Sequence, residues 1–332
     1  MNYKLRRTKT VVAIVAICMG CIVVSLNRHH ILDLITTEAL DGSNDTRPYE
    51  CSNCFPLDFR LMITPDRLCD GGRVDMLIVI LSYVTNRFAR DAIRSTWGSL
   101  CVSRDSNIRL AFVIGNNQDQ EDNALLLKES SEFHDILQAD FRDTYNNLTY
   151  KTMTGLKWGH ERCSNAKYIM KTDDDMFVNT EILPILLKAA PRIHFMGGYC
   201  WGRKAPLRQT SSKWYVSVRQ YGKPFYPPVC SGTGYMLSSD VVGQIVNVSR
   251  NIPFFYLEDV YIAFCVNKVG VSPVSLTGFS YKFVPFVPCV YRNSVITSHH
   301  LTPGVLKYFW TKSRTCDLSM LKPEQLFKSR RV

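Results

Sequence analysis

Lys171-Thr172-Asp173-Asp174-Asp175-Met176-Phe177-Val178-Asn179 sets three carboxylates in a row directly after the apolar run Tyr168-Ile169-Met170. An apolar run of this kind is a short buried strand, and Thr180 is the polar residue expected to open the helix that follows. Adjacent carboxylates repel one another unless a cation sits among them. Their oxygens are hard ligands that suit Mg²⁺ or Mn²⁺, ions that complete an octahedral shell with water and substrate phosphates. The carboxyl end of a strand in an open α/β sheet is also where ligands bind. A solvated acidic turn is the alternative. The apolar residues on both sides, Met176-Phe177-Val178 as well as the strand, favour a cluster held in a cleft.

Working back from this stretch, strands and helices alternate. The folded body is expected to start at Val74, where Asp75 to Ser82 is a continuous apolar strand of the kind buried on both faces of a parallel sheet. Asn86 to Trp97 reads as a helix, with Arg90, Ile93, Arg94 and Trp97 at helical spacing. Its two arginines either form a solvated face or, because they follow the first strand, hold an anionic ligand. Ile108 to Gly115 is the second strand, Glu121 to Ser130 a helix, Asp135 to Phe141 a third strand, Thr144 to His160 a long helix, and Ala166 to Met170 the strand that delivers the acidic cluster. This alternation predicts a Rossmann-like α/β layer with a mostly parallel sheet flanked by helices. No GxGxxG and no GxxxxGK[ST] follows the first strand, so neither a dinucleotide fold nor a P-loop is supported.

Beyond the cluster the pattern loosens. His194 to Trp201 and Lys213 to Val218 read as strands, and Tyr226 to Tyr235 as a turn-rich segment whose Gly232 and Gly234 either permit tight turns or let backbone approach a ligand. Asp240 to Val248 reads as a helix. Leu257-Glu258-Asp259-Val260-Tyr261 opens another, and its two acids serve either as helix-end charges or as catalytic groups.

The 332 residues, 46% of them hydrophobic, suit one large domain with appendages or two small ones. The net charge of +11 is scattered rather than gathered in a stripe with aromatics, so no nucleic-acid partner is expected. Lys4, Arg6, Arg7 and Lys9 precede an apolar run from Val11 to Leu26. That run is slightly short of the ~20 residues of an average span but within reach of a thin bilayer. A cleaved signal peptide competes, yet Val24-Ser25-Leu26 before Asn-Arg-His-His is a poor cleavage site. The expected organisation is a cytosolic tail over 1–10, a signal-anchor over 11–26, a lumenal stem over 27–72 and a catalytic domain over 73–332. Sequons at Asn44, Asn147 and Asn247, and ten of the twelve cysteines, all follow the anchor, as a lumenal body requires. Ten such cysteines leave the pairing open, and Cys51-Ser52-Asn53-Cys54 is either a disulfide or two free thiols, since no second half of a zinc site follows.

Six ordered motifs then resemble those of the β-1,3-galactosyltransferase family: Arg90 to Trp97, Phe112 to Gly115, Asp140 to Thr149, Lys171 to Asn179, Tyr226 to Tyr235, and Glu258 to Tyr261. The family also holds β-1,3-N-acetylglucosaminyl- and N-acetylgalactosaminyltransferases, with the fringe enzymes as distant relatives. The resemblance runs from about residue 74 to 312. It implies a GT-A fold, a type II Golgi membrane protein, a UDP-sugar donor, a glycan acceptor on glycoprotein or glycolipid, Mn²⁺, and inversion at the anomeric carbon. By the same resemblance Asp173, Asp174 and Asp175 form the DxD-type site, with Asp175 the metal ligand and the other two nearer the nucleotide. Asp259 matches the catalytic base, with Glu258, Gly232 and Gly234 on the acceptor side. His299 matches a late metal-binding histidine, although the doubled His300 leaves the register open. Arg90 and Arg94 match arginines near the donor nucleotide. Val229 and Ala263 depart from the family's usual aromatic and glycine, and Tyr150 alters the usual NLTLK run.

The implied chemistry must manage charge on a departing diphosphate and a proton on the attacking hydroxyl. A divalent ion held by Asp175 and His299 answers the first, with Arg90 or Arg94 as an added donor fork. Asp259 answers the second. A lectin-like protein that binds UDP-sugar without transfer is one rival, separated by a turnover assay. A metal-dependent phosphohydrolase is another, and would need ligands for a second metal that the first half does not offer. Donor sugar and acceptor stay open, with galactose first on overall resemblance.

Overall fold

The computed structural model describes residues 48–102, 106–318 and 327–332. The expected tail, the anchor and the first part of the stem lie outside the described residues. No described helix is long and apolar enough to cross a membrane. The body comprises Pro48–Tyr215 and Lys223–Val332; Val216–Gly222 is a unit apart, in which the Tyr221 amide donates to the Ser217 carbonyl at 3.1 Å.

In chain order the first half holds β1 (Leu61–Ile63), β2 (Val74–Leu81), α1 (Arg87–Arg94), α2 (Ser99–Val102), β3 (Ile108–Asn116), α3 (Gln120–Phe133), β4 (Ile136–Arg142), a 3-10 turn at Tyr145–Asn147, α4 (Leu148–Arg162) and β5 (Ala166–Asp173). The second half holds β6 (Phe177–Val178), α5 (Leu183–Ala189), β7 (Met196–Trp201), β8 (Val229–Ser238), α6 (Ser239–Ser249), α7 (Glu258–Val269), β9 (Val274–Leu276), α8 (Pro288–Asn293), β10 (Thr297–Ser298), α9 (Pro303–Ser313) and β11 (Ser329–Arg331). The main sheet runs β1-β4-β3-β2-β5-β8-β7-β9-β11.

Apolar runs dictate its centre. Leu77, Ile78, Val79 and Ile80 of β2, and Ile169 and Met170 of β5, have no exposed surface, which stabilises the fold by about 1.5–3 kcal/mol for each such side chain. Helix α4 lies close on the sheet because Gly155 has no Cβ; one placed there would come within 2.4 Å of Val79. The register Leu81↔Asp173 ends β2 and β5 together, so Ser82 and Asp174 emerge side by side at their carboxyl ends. A separate two-stranded pair, Ser298↔Phe177, brings the residues after β10 beside those between β5 and β6.

Several expectations change. The sheet is mixed rather than mostly parallel: β4, β3, β2 and β5 are parallel, but β8 is antiparallel to both β5 and β7, and β1 and β11 are antiparallel edges. Tyr226 to Tyr235 is not turn-rich, since from Val229 it is an interior strand. Its close approach to the neighbouring strand falls at Gly198 of β7, where a Cβ would stand 2.8 Å from the Gly234 carbonyl. Lys213 to Val218 forms no strand, only the isolated bridge Leu207↔Tyr215. Helix α5 starts at Leu183, not at Thr180, whose hydroxyl instead donates to the Trp97 carbonyl at 2.6 Å.

The stem boundary also moves. Residues 48–72 belong to the body: Phe55 is buried and stacks on Tyr261 at 4.7 Å, β1 extends the sheet beside β4, and Cys69 is disulfide-bonded to Cys163. This segment lacks periodicity of its own because it is held by long-range contacts. Further disulfides join Cys51–Cys54, Cys200–Cys230 and Cys289–Cys316, while Cys101 and Cys265 are free and buried.

Candidate active site

The acidic cluster sits where β5 ends, and each of its members faces something different. Asp174 accepts from Ser82 Oγ at 2.7 Å and from Asn86 Nδ2 at 3.1 Å. Burial, reinforced by the carboxylates on either side, raises its pKa despite those two donors. Asp175 has different partners. Its Oδ2 lies 3.2 Å from His299 Nε2 and 3.7 Å from His300 Nδ1. Burial alone would raise the Asp175 pKa, but the hydrogen bond from His299 and the two imidazoles outweigh it and hold it below the usual carboxylate value. Burial likewise works against charge on His299, and Asp175 with the Tyr281 carbonyl overcomes it.

The donor set fits a hard divalent ion. One atom from each of Asp175, His299 and His300 falls within 4.8 Å of the others. His299 Nδ1 lies 3.0 Å from the Tyr281 carbonyl, which orients the ring with Nε2 toward Asp175; Nε2 donates to that carboxylate here and would turn its lone pair to an ion placed between them. Both histidines therefore reach the corner, and geometry makes each a candidate. Beside them a cleft of about 460 Å³ is lined by Thr85, Asn86, Phe88, Asp174, His300 and Thr302 among others.

On the other side of β5 lies a buried ionic staple. Lys171 Nζ is 2.8 Å from Asp173 and 3.3 Å from Glu258, and also donates to the Gly232 carbonyl. Burial would lower the Lys171 pKa, yet Asp173 and Glu258 raise it overall. Glu258 Oε1 accepts from the Tyr235 hydroxyl at 2.7 Å. Burial pushes the Glu258 pKa up, with Lys171 opposing. Glu258 is thus 6% exposed with both oxygens engaged, so it cannot meet an acceptor as expected. Gly232 is explained by the same contact, since a Cβ there would lie 2.7 Å from Glu258 Oε2. At Gly234 a Cβ would meet only ordinary contacts, 3.5 Å at the nearest, so no close approach of a ligand is needed to account for it. Asp259, the next residue, is half-buried at the start of α7, and its Oδ1 accepts from the Val260 amide at 2.9 Å.

Arg90 and Arg94 are not where a donor nucleotide could touch them. Arg90 has no exposure; it pairs with both Glu129 oxygens at 2.7 Å and donates to Ser82 Oγ and to the carbonyls of Tyr83 and Val84. Arg94 forks onto Asp135 at 2.8 Å and also pairs with Asp91 and Glu129. Acids on α3 and just after it, invisible to a reading of one helix face, take up both guanidinium groups. Arg90 serves the site at one remove, by holding the loop that carries Ser82 and Asn86.

Sequence reasoning passed over Lys171, Tyr235, Ser82 and Asn86, and also Lys151, which pairs with Asp143 at 2.6 Å and donates to the Ser82 carbonyl. The signal for Lys171 was a lysine inside an otherwise apolar strand. Of the sequons, Asn44 lies outside the described residues. Asn147 Nδ2 donates to the Arg142 carbonyl at 2.8 Å, and Asn247 is exposed on α6.

A galactosyltransferase family profile matches residues 88–277, a span that takes in β3 to β8 and the Glu258-Asp259 pair. The chain is 38% identical over 273 residues to beta-1,3-galactosyltransferase 1 of Mus musculus, covering 81% of each chain. It is 34% identical to beta-1,3-galactosyltransferase 5 of Homo sapiens, over 79% of this chain and 85% of that one. Among solved structures, the galactosyltransferase LgtC with donor and acceptor sugar analogues aligns at 11% identity over 75% of this chain and 98% of that one, with a TM-score of 0.37, a likeness too distant to decide anything. The match spans the acidic cluster, the ionic staple and Asp259 in one continuous stretch, and by it the chain belongs to the galactosyltransferase family.

Proposed function

We propose that this chain is a GT-A type inverting glycosyltransferase that moves a sugar, galactose first, from a UDP-sugar to a glycan acceptor in β-1,3 linkage. The observation that carries the reading is the division of labour around β5. Ligand atoms of Asp175, His299 and His300 gather within 4.8 Å of one another beside a cleft on one side, and a half-buried carboxylate, Asp259, stands at the start of α7 beyond the staple on the other.

The cleft is of a size that suits a nucleotide-sugar, and it opens at the N-terminus of α1, whose dipole favours a diphosphate. Asp174, fixed by Ser82 and Asn86, lines it. Mn²⁺ held by Asp175 with His299 and His300 would supply neutralising charge on the leaving diphosphate. Asp259 takes the proton of the acceptor hydroxyl as its oxygen bonds to the anomeric carbon; the bond from that carbon to the diphosphate oxygen breaks, and UDP leaves with the electron pair. Lys171 keeps Glu258 compensated in a dry site, so the turn into α7 holds Asp259 in place. With Val11 to Leu26 as an uncleaved anchor, the four disulfides fit a type II protein whose body faces an oxidising Golgi lumen.

The test is a screen of UDP-galactose, UDP-N-acetylglucosamine and UDP-N-acetylgalactosamine with Mn²⁺ against a panel of acceptor sugars. A β-1,3-linked galactoside is the expected product. Nucleotide-sugar binding with no transfer from any of the three would instead mark a lectin-like protein.

A further inference from the structure

Two large aromatic side chains stand open to solvent close to the carboxylates of the site: Tyr145 is 44% exposed and Trp214 is 48% exposed. They come from segments far apart in sequence. Tyr145 opens the 3-10 turn before α4. Trp214 lies in the irregular stretch where a strand was expected, and local contacts hold it there: its amide donates to Ser212 Oγ at 3.2 Å, the next residue bridges to Leu207, and the Tyr256 hydroxyl donates to the Tyr215 carbonyl. Tyr256 is three residues before Asp259, so that last bond ties the Trp214 segment to the approach of α7.

The two rings form one unit. The Trp214 side chain sits against the Tyr145 hydroxyl, and the Lys213 ammonium lies 5.4 Å from the Tyr145 ring centroid and 4.8 Å from that of Trp214. Asp259, Asp173 and Glu258 are the carboxylates whose fields act on the Tyr145 hydroxyl, and Asp259 also acts on Tyr256. Here two such rings stand together beside the site's carboxylates, and rings with a polar edge suit a ligand that is part apolar and part hydroxylated. A pyranose is such a ligand, with an aliphatic C–H face and a rim of hydroxyls.

We propose that Tyr145 and Trp214 form the platform on which the sugar ring of the acceptor stacks, presenting one of its hydroxyls to Asp259. This rests on the transferase reading, and it names residues that recognise the acceptor rather than the donor. Val229, standing where relatives of the resembling family carry an aromatic, is fully buried in β8 and supplies no such surface.

The experiment uses the full chain in detergent, wild type against Trp214→Ala and Trp214→Phe, with thermal melting to confirm folding; Trp214→Leu replaces the alanine variant if that one does not fold. With donor saturating, acceptor KM should rise by about tenfold in Trp214→Ala, as when a central interface aromatic is truncated. Donor KM and donor hydrolysis without acceptor should stay within about twofold, and Trp214→Phe should recover most of the loss. An unchanged acceptor KM, or an equal rise in donor KM, overturns the proposal. A glycan array separates it from the transferase reading. Glycans retained by a wild type that turns over no donor, and lost by Trp214→Ala, would leave the platform standing and discard the transferase. A wild type that neither retains glycan nor transfers sugar discards both.

Discussion

Arg90, Arg94, Glu129 and Asp135 form one cluster of charge beside the end of β2; Asp173, Asp174, Asp175, His299 and His300 form another across it. In the first, side chains are nearly sealed from solvent, Arg90 at 1% and Arg94 at 7%, and each guanidinium forks onto a carboxylate. In the second, the Asp175 side chain is 42% exposed and His300 70%, and the carboxylate and imidazoles meet beside an open cleft. Both clusters look alike in sequence, as acids or bases at helical or strand-end positions. What separates them is whether their hydrogen-bonding capacity is already used. Charges with every partner supplied hold the fold, and charges with lone pairs left over facing a cleft are free for a ligand.

The contrast breaks most visibly at Asp175. Asp175→Ala should remove Mn²⁺-dependent transfer while leaving the melting temperature nearly unchanged, because an exposed ligand holds little of the fold together. Transfer assays with and without chelator, paired with melts, check it. Full activity of the variant in chelator would refute a metal-assisted mechanism.

At Arg90 the order should reverse. Arg90→Met leaves Glu129 buried without its main partner and should cost about 3–5 kcal/mol of stability in denaturant unfolding. The folded fraction should still transfer sugar. A variant as stable as wild type but unable to bind donor would return Arg90 to the nucleotide.

A smaller effect is expected where the charges are paired but wet. Asp58 holds residues 48–72 to the body through Lys157 at 2.7 Å and Arg250 at 3.2 Å, and its side chain is 66% exposed. Hydrogen bonds from Lys157 and Arg250 lower its pKa from 3.8 to about 2. The folded value is depressed, so its contribution is complete above 3.8 and is lost as pH falls through about 2. Solvent screening keeps it to at most about 1 kcal/mol at neutral pH. Asp58→Asn should therefore melt slightly below wild type at pH 7, with the gap closing in acid.

How far the sequence carried depends on where the deciding contact lies. The central strands were legible because each is a run of apolar residues long enough to be buried on both faces, as Leu77 to Ile80 shows. The acidic cluster was legible for a related reason, since three charges beside an apolar strand need an external cause. Arg90 and Glu258 were misjudged because their partners are 39 and 23 residues away, Glu129 and Tyr235, and no local pattern announces them. Residues 48–72 look like stem in the sequence because Phe55 and Cys69 reach their partners only in the folded chain. Tyr226 to Tyr235 reads as turns because Gly and Ser weaken a strand signal, although it is Glu258 of α7 that leaves no room for a Cβ at Gly232.

The central claim, that Asp259 is the base of a sugar transfer, is tested most directly by the turnover of Asp259→Asn. Asp259 is the second residue of α7, so a structural role rests on its charge near the helix start and predicts turnover nearly kept, with a stability loss of about 0.3–1 kcal/mol. As the base, Asp259→Asn should lose about 10²–10⁴-fold in kcat, with donor KM unchanged because donor contacts lie on other segments. Near-normal turnover in the folded variant would contradict the account and leave Asp259 as a charge at the start of α7.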